Sequence, residues 1–247
     1  MIGVKGKVWV VGLGPGDIGY ITPEARAAID TADTIIGYKT YVDLIKPLIE
    51  GKEVVSNGMR REVERCEAAV RLAEEGKGVA LVSSGDPGIY GMAGILMEVK
   101  EQQNSSIEVE IIPGVTAVSA AAASLGAPLM HDFAIISLSD CLTDWERIKK
   151  RLNCAGDGDF VIALYNPKSS QRVTHIEEAR DILLKYKKPE TPVGIVRNAK
   201  RGKEEVIITN LEDMLKHPID MLTIVIIGNN STYIKNDKII TPRGYAV

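Results

Sequence analysis

Cysteine is scarce in this sequence, and its spacing argues against several kinds of site. The 247 residues contain three cysteines, Cys66, Cys141 and Cys154, and none of them forms a C-x-x-C pair. An odd number of scattered cysteines argues against a disulfide framework and against a zinc or iron–sulfur site. Cys66 shares a helical stripe with Val63 and Val70, which predicts a place in the core. We therefore expect a cytoplasmic protein that binds no metal through its own side chains.

Long hydrophobic runs and an excess of positive charge are also missing. The run that begins at Val8 is broken at once by glycine, proline and aspartate, so it predicts a strand rather than a signal peptide. No stretch approaches the ~18 apolar residues that cross a bilayer. The formal net charge of −3 lacks the basic excess typical of nucleic-acid-binding proteins. Neither a membrane nor a nucleic acid is therefore expected as a partner.

The first half of the chain alternates short apolar runs with helical segments. The run "VALVS" (79–83) is apolar without alternation, as in a strand that is covered on both faces. Thr22 is placed to cap the first helix, with Pro23 at its first helical position. Alternating strands and helices predict a largely parallel α/β sheet. The strands are predicted at residues 7–12, 34–37, 53–56, 78–83 and 107–112.

The second half has more strand candidates and fewer helices between them. The candidates are "DFAIISLS", "DFVIALY", "TPVGIVRN", "EEVIITN" and "LTIVIIG". The turn "NAKRGKEE" between two of them predicts a hairpin. The predicted fold is therefore two α/β domains, with a mostly parallel N-terminal sheet over residues 1–113 and a mixed C-terminal sheet over residues 114–247.

The unusual residues of the sequence follow the predicted strands. In open α/β sheets, ligands bind beyond the carboxyl ends of the strands. Each loop alone is equally compatible with a plain turn, since Gly, Pro, Asp and Asn dominate turns. Agreement among several strand ends favours a binding cleft. The loops are "GLGPGD", "SSGDPGIYG", "IPGVTA", "LYNPKSSQR" and "VRNAKRG".

The first of these loops does not fit a dinucleotide site. A G-x-G-x-x-G fingerprint leads directly into a helix whose N–H groups meet a pyrophosphate. Here Gly16 comes one residue early, Pro15 has no N–H to offer, and the helix is predicted to start only at Pro23. No acidic residue ends the second predicted strand, at "TIIGYKTY". An NAD or FAD enzyme is disfavoured.

The second and third loops favour a different ligand. Asp86 sits in a turn beside Pro87, with glycines on both sides that let a flat ligand approach the backbone. Thr116 and Ala117 precede a run of small residues that leaves room for an object of the size of adenine. These features are compatible with S-adenosylmethionine without requiring it.

In combination, "VGLGPGD", "SSGDPGIYG", "IPGVTAVSAAAASLGAPL" and "FVIALYNPKSSQR" resemble the tetrapyrrole methylase family over essentially the whole chain. The resemblance implies a class III S-adenosylmethionine-dependent methyltransferase fold with the cofactor in a cleft between two α/β domains. The segments "IIGYKTYVDLI", "NGMRREVERCEAA" and "SLSDCLTDWE" resemble its C(17)-methyltransferase branch. That branch implies methylation of C(17) of precorrin-3B or cobalt-factor III, coupled to ring contraction, in cobalamin biosynthesis.

The resemblance also implies roles for individual residues. Pro15 would present a rigid, donor-poor edge to a neutral part of a ligand. Relatives that methylate uroporphyrinogen carry an acid near the position of Tyr38 and a lysine near that of Arg60, so their acid–base scheme does not transfer directly. The implied contacts to S-adenosylmethionine are Pro15, Ser84, Gly85, Asp86, Ile89, Thr116, Ala117, Tyr165, Asn166, Ala199 and Thr223.

The implied substrate is a macrocycle that carries many carboxylates, so a protein of net charge −3 must concentrate positive charge locally. Arginine is suited to bidentate capture of carboxylates. The predicted substrate contacts are Arg60, Lys168, Arg172 and Arg197. Ring contraction requires a proton to move, and Tyr38 and Asp140 are the predicted catalytic residues.

The sequence leaves several other functions open. They are a tetrapyrrole methylase that acts on another ring carbon, a methylase of an elongation-factor histidine derivative or of ribosomal RNA, and a non-catalytic nucleotide-binding module. The sequence does not distinguish a substrate that contains cobalt from one that does not. A homodimer is implied by the resemblance alone.

Overall fold

The structure of the protein is a computed structural model that describes residues 6–58 and 60–246. The chain forms two compact units, Met1–Ala117 and Val118–Val247, called unit 1 and unit 2 below. The loop that follows residue 112 belongs to unit 1, where the Gly114 backbone packs against the backbones of Gly12 and Gly85.

Unit 1 is built on a parallel sheet. Its strands are hydrogen-bonded in the order β3-β2-β4-β1-β5, and every pairing is parallel, which confirms the prediction for the N-terminal half. The elements are β1 (Lys7–Gly12), α1 (Pro23–Thr31), β2 (Thr34–Tyr38), α2 (Lys39–Leu44), β3 (Glu53–Asn57), α3 (Glu62–Glu74), β4 (Gly78–Ser83), α4 (Ala93–Gln102) and β5 (Glu108–Ile112).

Helices cover both faces of this sheet. Val8 and Val10 of β1 lie in a core cluster with side chains of α3 and α4, whereas Val11 lies in a second cluster with side chains of α1. Residues 79–82 of β4 are all buried, as their unbroken apolar run predicts. Cys66 lies in the first cluster, which confirms its place in the core, and burial raises the pKa of its thiol to about 12.

Local sequence signals set the start of α1. Thr22 Oγ1 accepts a hydrogen bond from the backbone N–H of Ala25 at 3.1 Å, and Pro23 occupies the first turn. Both features were expected, because a hydroxyl satisfies an orphan N–H and proline has no N–H to leave unpaired. The sequence does not predict the short helix α2, which buries Val42 in the second cluster and packs the partly buried Tyr41 against it.

Unit 2 contains a mixed sheet and a small additional sheet. The main sheet has the order β10-β9-β11-β8-β7, and β12-β13-β6 form the small one. The predicted hairpin is the antiparallel β9–β10 pair. The elements are α5 (Ala117–Leu125), β6 (Gly126–Ala127), β7 (Phe133–Ser137), α6 (Trp145–Asp157), β8 (Val161–Tyr165), α7 (His175–Leu183), β9 (Pro192–Arg197), β10 (Glu205–Asn210), β11 (Thr223–Ile227), β12 (Tyr233–Lys235) and β13 (Lys238–Ile240).

Strand directions bring several strand ends to one edge of the main sheet of unit 2. β7 is parallel to β8, and β11 is antiparallel to both β8 and β9, so β7, β8 and β9 all run in the same direction. Their carboxyl ends share an edge with the first residue of β11, Thr223, which pairs with Arg197. The mixed sheet confirms the second half of the predicted fold class.

Candidate functional site

Three loops of unit 1 leave neighbouring strands at the same edge of the sheet. The first loop (residues 13–17) follows β1, the second loop (84–89) follows β4, and the third loop (113–116) follows β5. β4, β1 and β5 are adjacent and parallel, so their carboxyl ends lie side by side. This edge is the position at which α/β sheets bind ligands.

The first and second loops are joined by a pair of backbone hydrogen bonds. The N–H of Gly14 donates to the carbonyl of Gly85 at 3.1 Å, and the N–H of Gly85 donates to the carbonyl of Gly14 at 2.7 Å. The N–H of Leu13 donates to the carbonyl of Ser83 at 2.9 Å. Residues 13–15 therefore offer no backbone N–H to an anion, since Pro15 has none. This part of the loop is therefore unsuited to hold a phosphate through its backbone.

Glycine is required where these loops meet, because backbone packs directly on backbone. A Cβ atom added at Gly12 would lie 2.6 Å from the backbone nitrogen of Gly114 and 2.8 Å from the carbonyl oxygen of Gly85. A Cβ atom at Gly114 would lie 2.2 Å from that same oxygen. Gly85 itself has a φ of 66°, in the left-handed region. No larger residue fits at this junction without moving a loop.

Asp86 ties the second loop to the third. Its Oδ1 accepts the backbone N–H of Gly88 at 2.8 Å, and its Oδ2 accepts the backbone N–H of Gly114 at 3.0 Å. Both carboxylate oxygens are thus engaged with backbone, and the side chain organises the loops that surround it. The sequence identifies Asp86 as special but does not reveal these two partners.

Tyr38 and Arg60 lie at the same edge of unit 1, farther along the sheet. Tyr38 ends β2 and meets the ring of Tyr41 edge-on, with centroids 5.2 Å apart. Arg60 lies in the turn after β3 with a φ of 62°. Arg65 of α3, which the sequence does not single out, holds this turn in place. Its side chain is 4% exposed. Its Nη1 donates to Asn57 Oδ1 at 2.6 Å and to the carbonyl of Gly58 at 2.9 Å.

In unit 2, Tyr165 and Asn166 follow β8 at the shared edge. Tyr165 Oη accepts the backbone N–H of Val118, in the first turn of α5, at 2.9 Å. Asn166, with a φ of 50°, donates from Nδ2 to Ser137 Oγ at 2.9 Å. The two residues thereby connect the end of β8 to α5 and to the end of β7.

Arg172 is the most deeply buried of the predicted substrate contacts. Its side chain is 7% exposed, and its Nη2 donates to the carbonyl of Asn166 at 3.0 Å. Nη1 lies 3.8 Å from Asp140 Oδ1, and Nε is buried without a hydrogen-bond partner among the described residues. Lys168, in the same loop, is half-buried.

Asp140 also contacts a histidine that no motif in the sequence marks as part of a site. The Asp140 Oδ2 atom lies 3.1 Å from Nε2 of His175, the first residue of α7. The His175 ring packs on the ring of Trp145 with centroids 4.0 Å apart. Trp145 in turn donates from Nε1 to Glu178 Oε2 at 2.9 Å. No sequence spacing signals this group, because its members are brought together only by the fold.

Arg197 and Thr223 face a common aspartate. Arg197 Nε donates to Asp220 Oδ2 at 2.7 Å, and Thr223 Oγ1 donates to Asp220 Oδ1 at 3.0 Å. The hydrogen bond to Asp220 is the chief reason that the pKa of Arg197 is raised. Ala199 is buried in the turn beyond β9. All the predicted residues of unit 2 therefore lie at or beyond strand ends of one sheet edge.

Comparison with known proteins identifies the family. Residues 7–215 match the model of the Tetrapyrrole (Corrin/Porphyrin) Methylases. This chain belongs to the tetrapyrrole methylases. The predicted family is thus confirmed.

The relatives of this tetrapyrrole methylase carry related names. A probable cobalt-factor III C(17)-methyltransferase of Salmonella typhimurium is 51% identical over 96% of this chain and 99% of its own length. A cobalt-factor III methyltransferase of Priestia megaterium is 53% identical over 98% of this chain but only 46% of its own length. The crystal structure of the methyltransferase CobJ has a TM-score of 0.92 at 39% identity, over 96% of this chain and 100% of that one. The chain thus spans about half of one relative and almost all of another.

One cavity of this tetrapyrrole methylase lies apart from the predicted residues. It has a volume of about 590 Å³ and lies between β7 and α6 of unit 2. Its lining includes Arg147, Lys150, Arg151 and Phe160, and none of the predicted site residues.

Two further observations concern metals and membranes. Over residues 6–58 and 60–246, no group of three or more His, Cys, Asp or Glu side chains is placed to hold a metal ion. Within the same part of the chain, no helix combines the length and the apolar character that a membrane span requires.

Proposed function

We propose that this tetrapyrrole methylase transfers the methyl group of S-adenosylmethionine to C(17) of precorrin-3B or cobalt-factor III, with coupled ring contraction, in cobalamin biosynthesis. The observation that carries the proposal is the junction of three glycine-built loops at one edge of unit 1, with Gly14 and Gly85 joined by paired backbone bonds. The names of the relatives, which match along nearly the whole chain, support the choice of substrate.

The residues of unit 1 fit a ligand without phosphate. S-Adenosylmethionine supplies a methyl group on a positively charged sulfur. Residues 13–15 of the first loop have no free N–H to donate to an anion, and Pro15 stiffens the loop. Gly85 has no side chain that would keep a flat group away from the backbone. We propose Pro15, Ser84, Gly85, Asp86, Ile89, Thr116 and Ala117 as contacts, with Asp86 acting through the loops that it holds.

The loops of unit 2 complete the proposed set of contacts to the donor. These are Tyr165, Asn166, Ala199 and Thr223, of which Thr223 and Ala199 are buried. Because Asn166 is held by Ser137 and Thr223 by Asp220, their backbones are fixed before a ligand binds. Fixed loops help to align the two reactants, and full alignment of two reactants lowers the barrier by roughly 7–11 kcal/mol in well-aligned systems.

The substrate is proposed to be held through its carboxylates. Arg60 and Lys168 are the proposed direct contacts, being exposed and half-buried, respectively. Arg197 and Arg172 are already engaged with Asp220 and with the carbonyl of Asn166. They are proposed to contact the substrate with their remaining N–H groups, while their present bonds hold the loops in place.

Mass spectrometry of the purified chain with S-adenosylmethionine tests the proposal. Precorrin-3B and cobalt-factor III are supplied in parallel anaerobic reactions, and the product of one of them is expected to gain one methyl group in place of one hydrogen. S-Adenosylhomocysteine should accumulate in equal amount, and NMR of the product should place the new methyl group on C(17). A methyl group on another ring carbon, or no S-adenosylhomocysteine with either substrate, would contradict the proposal.

A homodimer in the cytoplasm is proposed on the basis of the family resemblance. Light scattering on the eluate of a sizing column gives the mass directly. A mass close to twice 26.8 kDa is expected for the homodimer, and a single-chain mass would contradict it.

A further inference from the structure

Asp140 combines access to ligands with a fixed orientation. Its side chain is 41% exposed, so it can meet a bound molecule. Two groups of a later segment face it: His175 Nε2 lies 3.1 Å from Oδ2, and Arg172 Nη1 lies 3.8 Å from Oδ1. The carboxylate is therefore held at both oxygens, yet it remains open to the surroundings.

The His175 ring is itself held in place by Trp145. The ring is only 15% exposed and packs on Trp145, whose indole N–H is fixed by Glu178. The Nδ1 atom of His175 is buried without a hydrogen-bond partner in the described part of the chain. A carboxylate only accepts hydrogen bonds, so Nε2 carries the hydrogen that points to Asp140. Among the residues that the structure describes, the polar partner of the imidazole is thus Asp140.

Methyl transfer to a ring carbon creates a need for a proton acceptor. One carbon–carbon bond forms with an electron pair of the macrocycle, and one sulfur–carbon bond breaks, with its electron pair retained by sulfur. The positive charge of the sulfonium therefore passes to the macrocycle. Loss of one proton from the macrocycle restores its charge, and that proton needs a base within reach.

We infer that Asp140 is the base that accepts this proton and that His175 is its positioning residue, an inference that rests on the proposed function. Asp140 then returns the proton to solvent, to which its side chain is open. Tyr38, the other candidate from the sequence, is set against the ring of Tyr41 and contacts no charged group in any described interaction of its side chain. Asp140 is the candidate whose orientation is fixed by charged and hydrogen-bonding neighbours.

The surroundings of Asp140 keep it ionised. Desolvation opposes ionisation, but the backbone N–H of its own residue, the hydrogen bond from His175 and the charges of His175 and Arg172 outweigh it, so its pKa is lowered. The groups that face it are Arg172, from the loop after β8, and His175, from α7. A base with a lowered pKa stays competent as the pH falls, until the solution protonates it.

Rates of methyl transfer in four variants test the inference. Asp140→Asn is expected to lower kcat by roughly 10²–10⁴-fold, the usual contribution of a general base, without changing the Kd for S-adenosylmethionine. Asp144→Asn, in the same loop, is the matched control and should retain the rate of the unaltered protein. His175→Phe keeps a ring to pack on Trp145 but removes the donor, whereas His175→Gln keeps an N–H donor.

The pH profile of kcat shows whether His175 positions Asp140 or only stabilises the fold. Without the donor, the pKa of Asp140 rises, so the acid limb of the profile should move to higher pH in His175→Phe and stay near its original place in His175→Gln. Asp140→Asn should have no such limb. Melting temperature and calorimetric titration with S-adenosylmethionine establish that each variant is folded, and Asp140→Ser, which also lacks a carboxylate, replaces Asp140→Asn if that variant is not.

The outcomes separate the inference from the function on which it rests. Unchanged kcat in Asp140→Asn, or an unmoved acid limb in His175→Phe, would overturn the inference while leaving the methyltransferase intact. If the unaltered protein forms no S-adenosylhomocysteine with either tetrapyrrole, the proposed function fails and the inference fails with it.

Discussion

Gly14 and Gly85 donate to each other's carbonyl oxygens across two loops, at 3.1 and 2.7 Å. The pair links the ends of β1 and β4 at the edge where the sheet is expected to bind its ligand. The link uses the N–H groups that a phosphate-binding loop would present. The arrangement is a physical reason to expect no dinucleotide at this loop, although the sequence is rich in glycine after its first strand.

Gly85→Ala is expected to weaken binding of S-adenosylmethionine. The φ of 66° at this position costs an L-residue roughly 1–2 kcal/mol, and relief of that strain would disturb the pair with Gly14. Gly51→Ala is the matched control, since Gly51 has a φ of 79° and open space around it. Both variants should lose similar stability in denaturant titrations. Calorimetry should show weaker cofactor binding only for Gly85→Ala, and equal Kd values in the two would contradict the assignment.

Asp86→Ala is expected to lower the free energy of unfolding by about 1–3 kcal/mol, because it leaves backbone N–H groups of two loops without their acceptor. The affected groups belong to Gly88 and Gly114. Asp17→Asn serves as a control, since the single bond from Gly19 to Asp17 Oδ1 can be kept by an amide oxygen. Urea unfolding measures both. A loss in Asp86→Ala no larger than that in Asp17→Asn would show that the third loop is held by other means.

Arg65→Met should destabilise unit 1 and weaken substrate binding through the turn that carries Arg60. Removal of one partner of a buried ion pair typically costs about 3–5 kcal/mol, and here Glu62 is half-exposed, which places the expected loss below that range. Arg61→Met removes an exposed arginine that pairs with Glu64, so its effect on stability should be small. Titration with the tetrapyrrole in the absence of methyl donor measures affinity. Unchanged affinity in a folded Arg65→Met variant would separate this turn from the substrate site.

The thiols are expected to differ in reactivity. Cys66 is buried with a pKa of about 12, whereas Cys141 and Cys154 are exposed. Iodoacetamide at pH 8 should therefore modify two cysteines of the native protein and three after denaturation, as counted by mass spectrometry. As the pH rises, the Cys66 thiol loses its proton at a lower pH in the unfolded chain than in the folded protein. The free energy of unfolding should therefore fall between about pH 9 and pH 12. Modification of Cys66 in the native protein would contradict its burial.

The sequence predicts the strands of the two main sheets, but it does not predict every smaller element. The strands of unit 1 were predictable because unbroken apolar runs such as residues 79–82 are buried on both faces. The short helix α2 and the small β12-β13-β6 sheet were not, because each buries few residues and because β13 pairs with β6, which is distant in sequence.

The candidate site was predictable only at the level of its loops. Glycine, proline and aspartate mark the strand ends, so the loops that hold Pro15, Asp86 and Thr116 could be identified from composition and order. The partners of their side chains could not. Asp140 and His175 are separated by 35 positions, and no periodicity relates them; only the order of strands in unit 2 brings them within 3.1 Å.

The junction of glycines at positions 12, 85 and 114 bears on redesign, because the proposed contacts to the methyl donor and the proposed contacts to the substrate are different residues. Where main chain touches main chain, there is no side chain to exchange, so these proposed contacts to the methyl donor offer few positions for redesign. Arg60, one of the basic residues proposed to contact the substrate, lies in a turn that is anchored by a separate residue, Arg65. A library restricted to Arg60 and Lys168 could therefore be screened for new acceptor molecules without changing the residues that are proposed to contact the methyl donor.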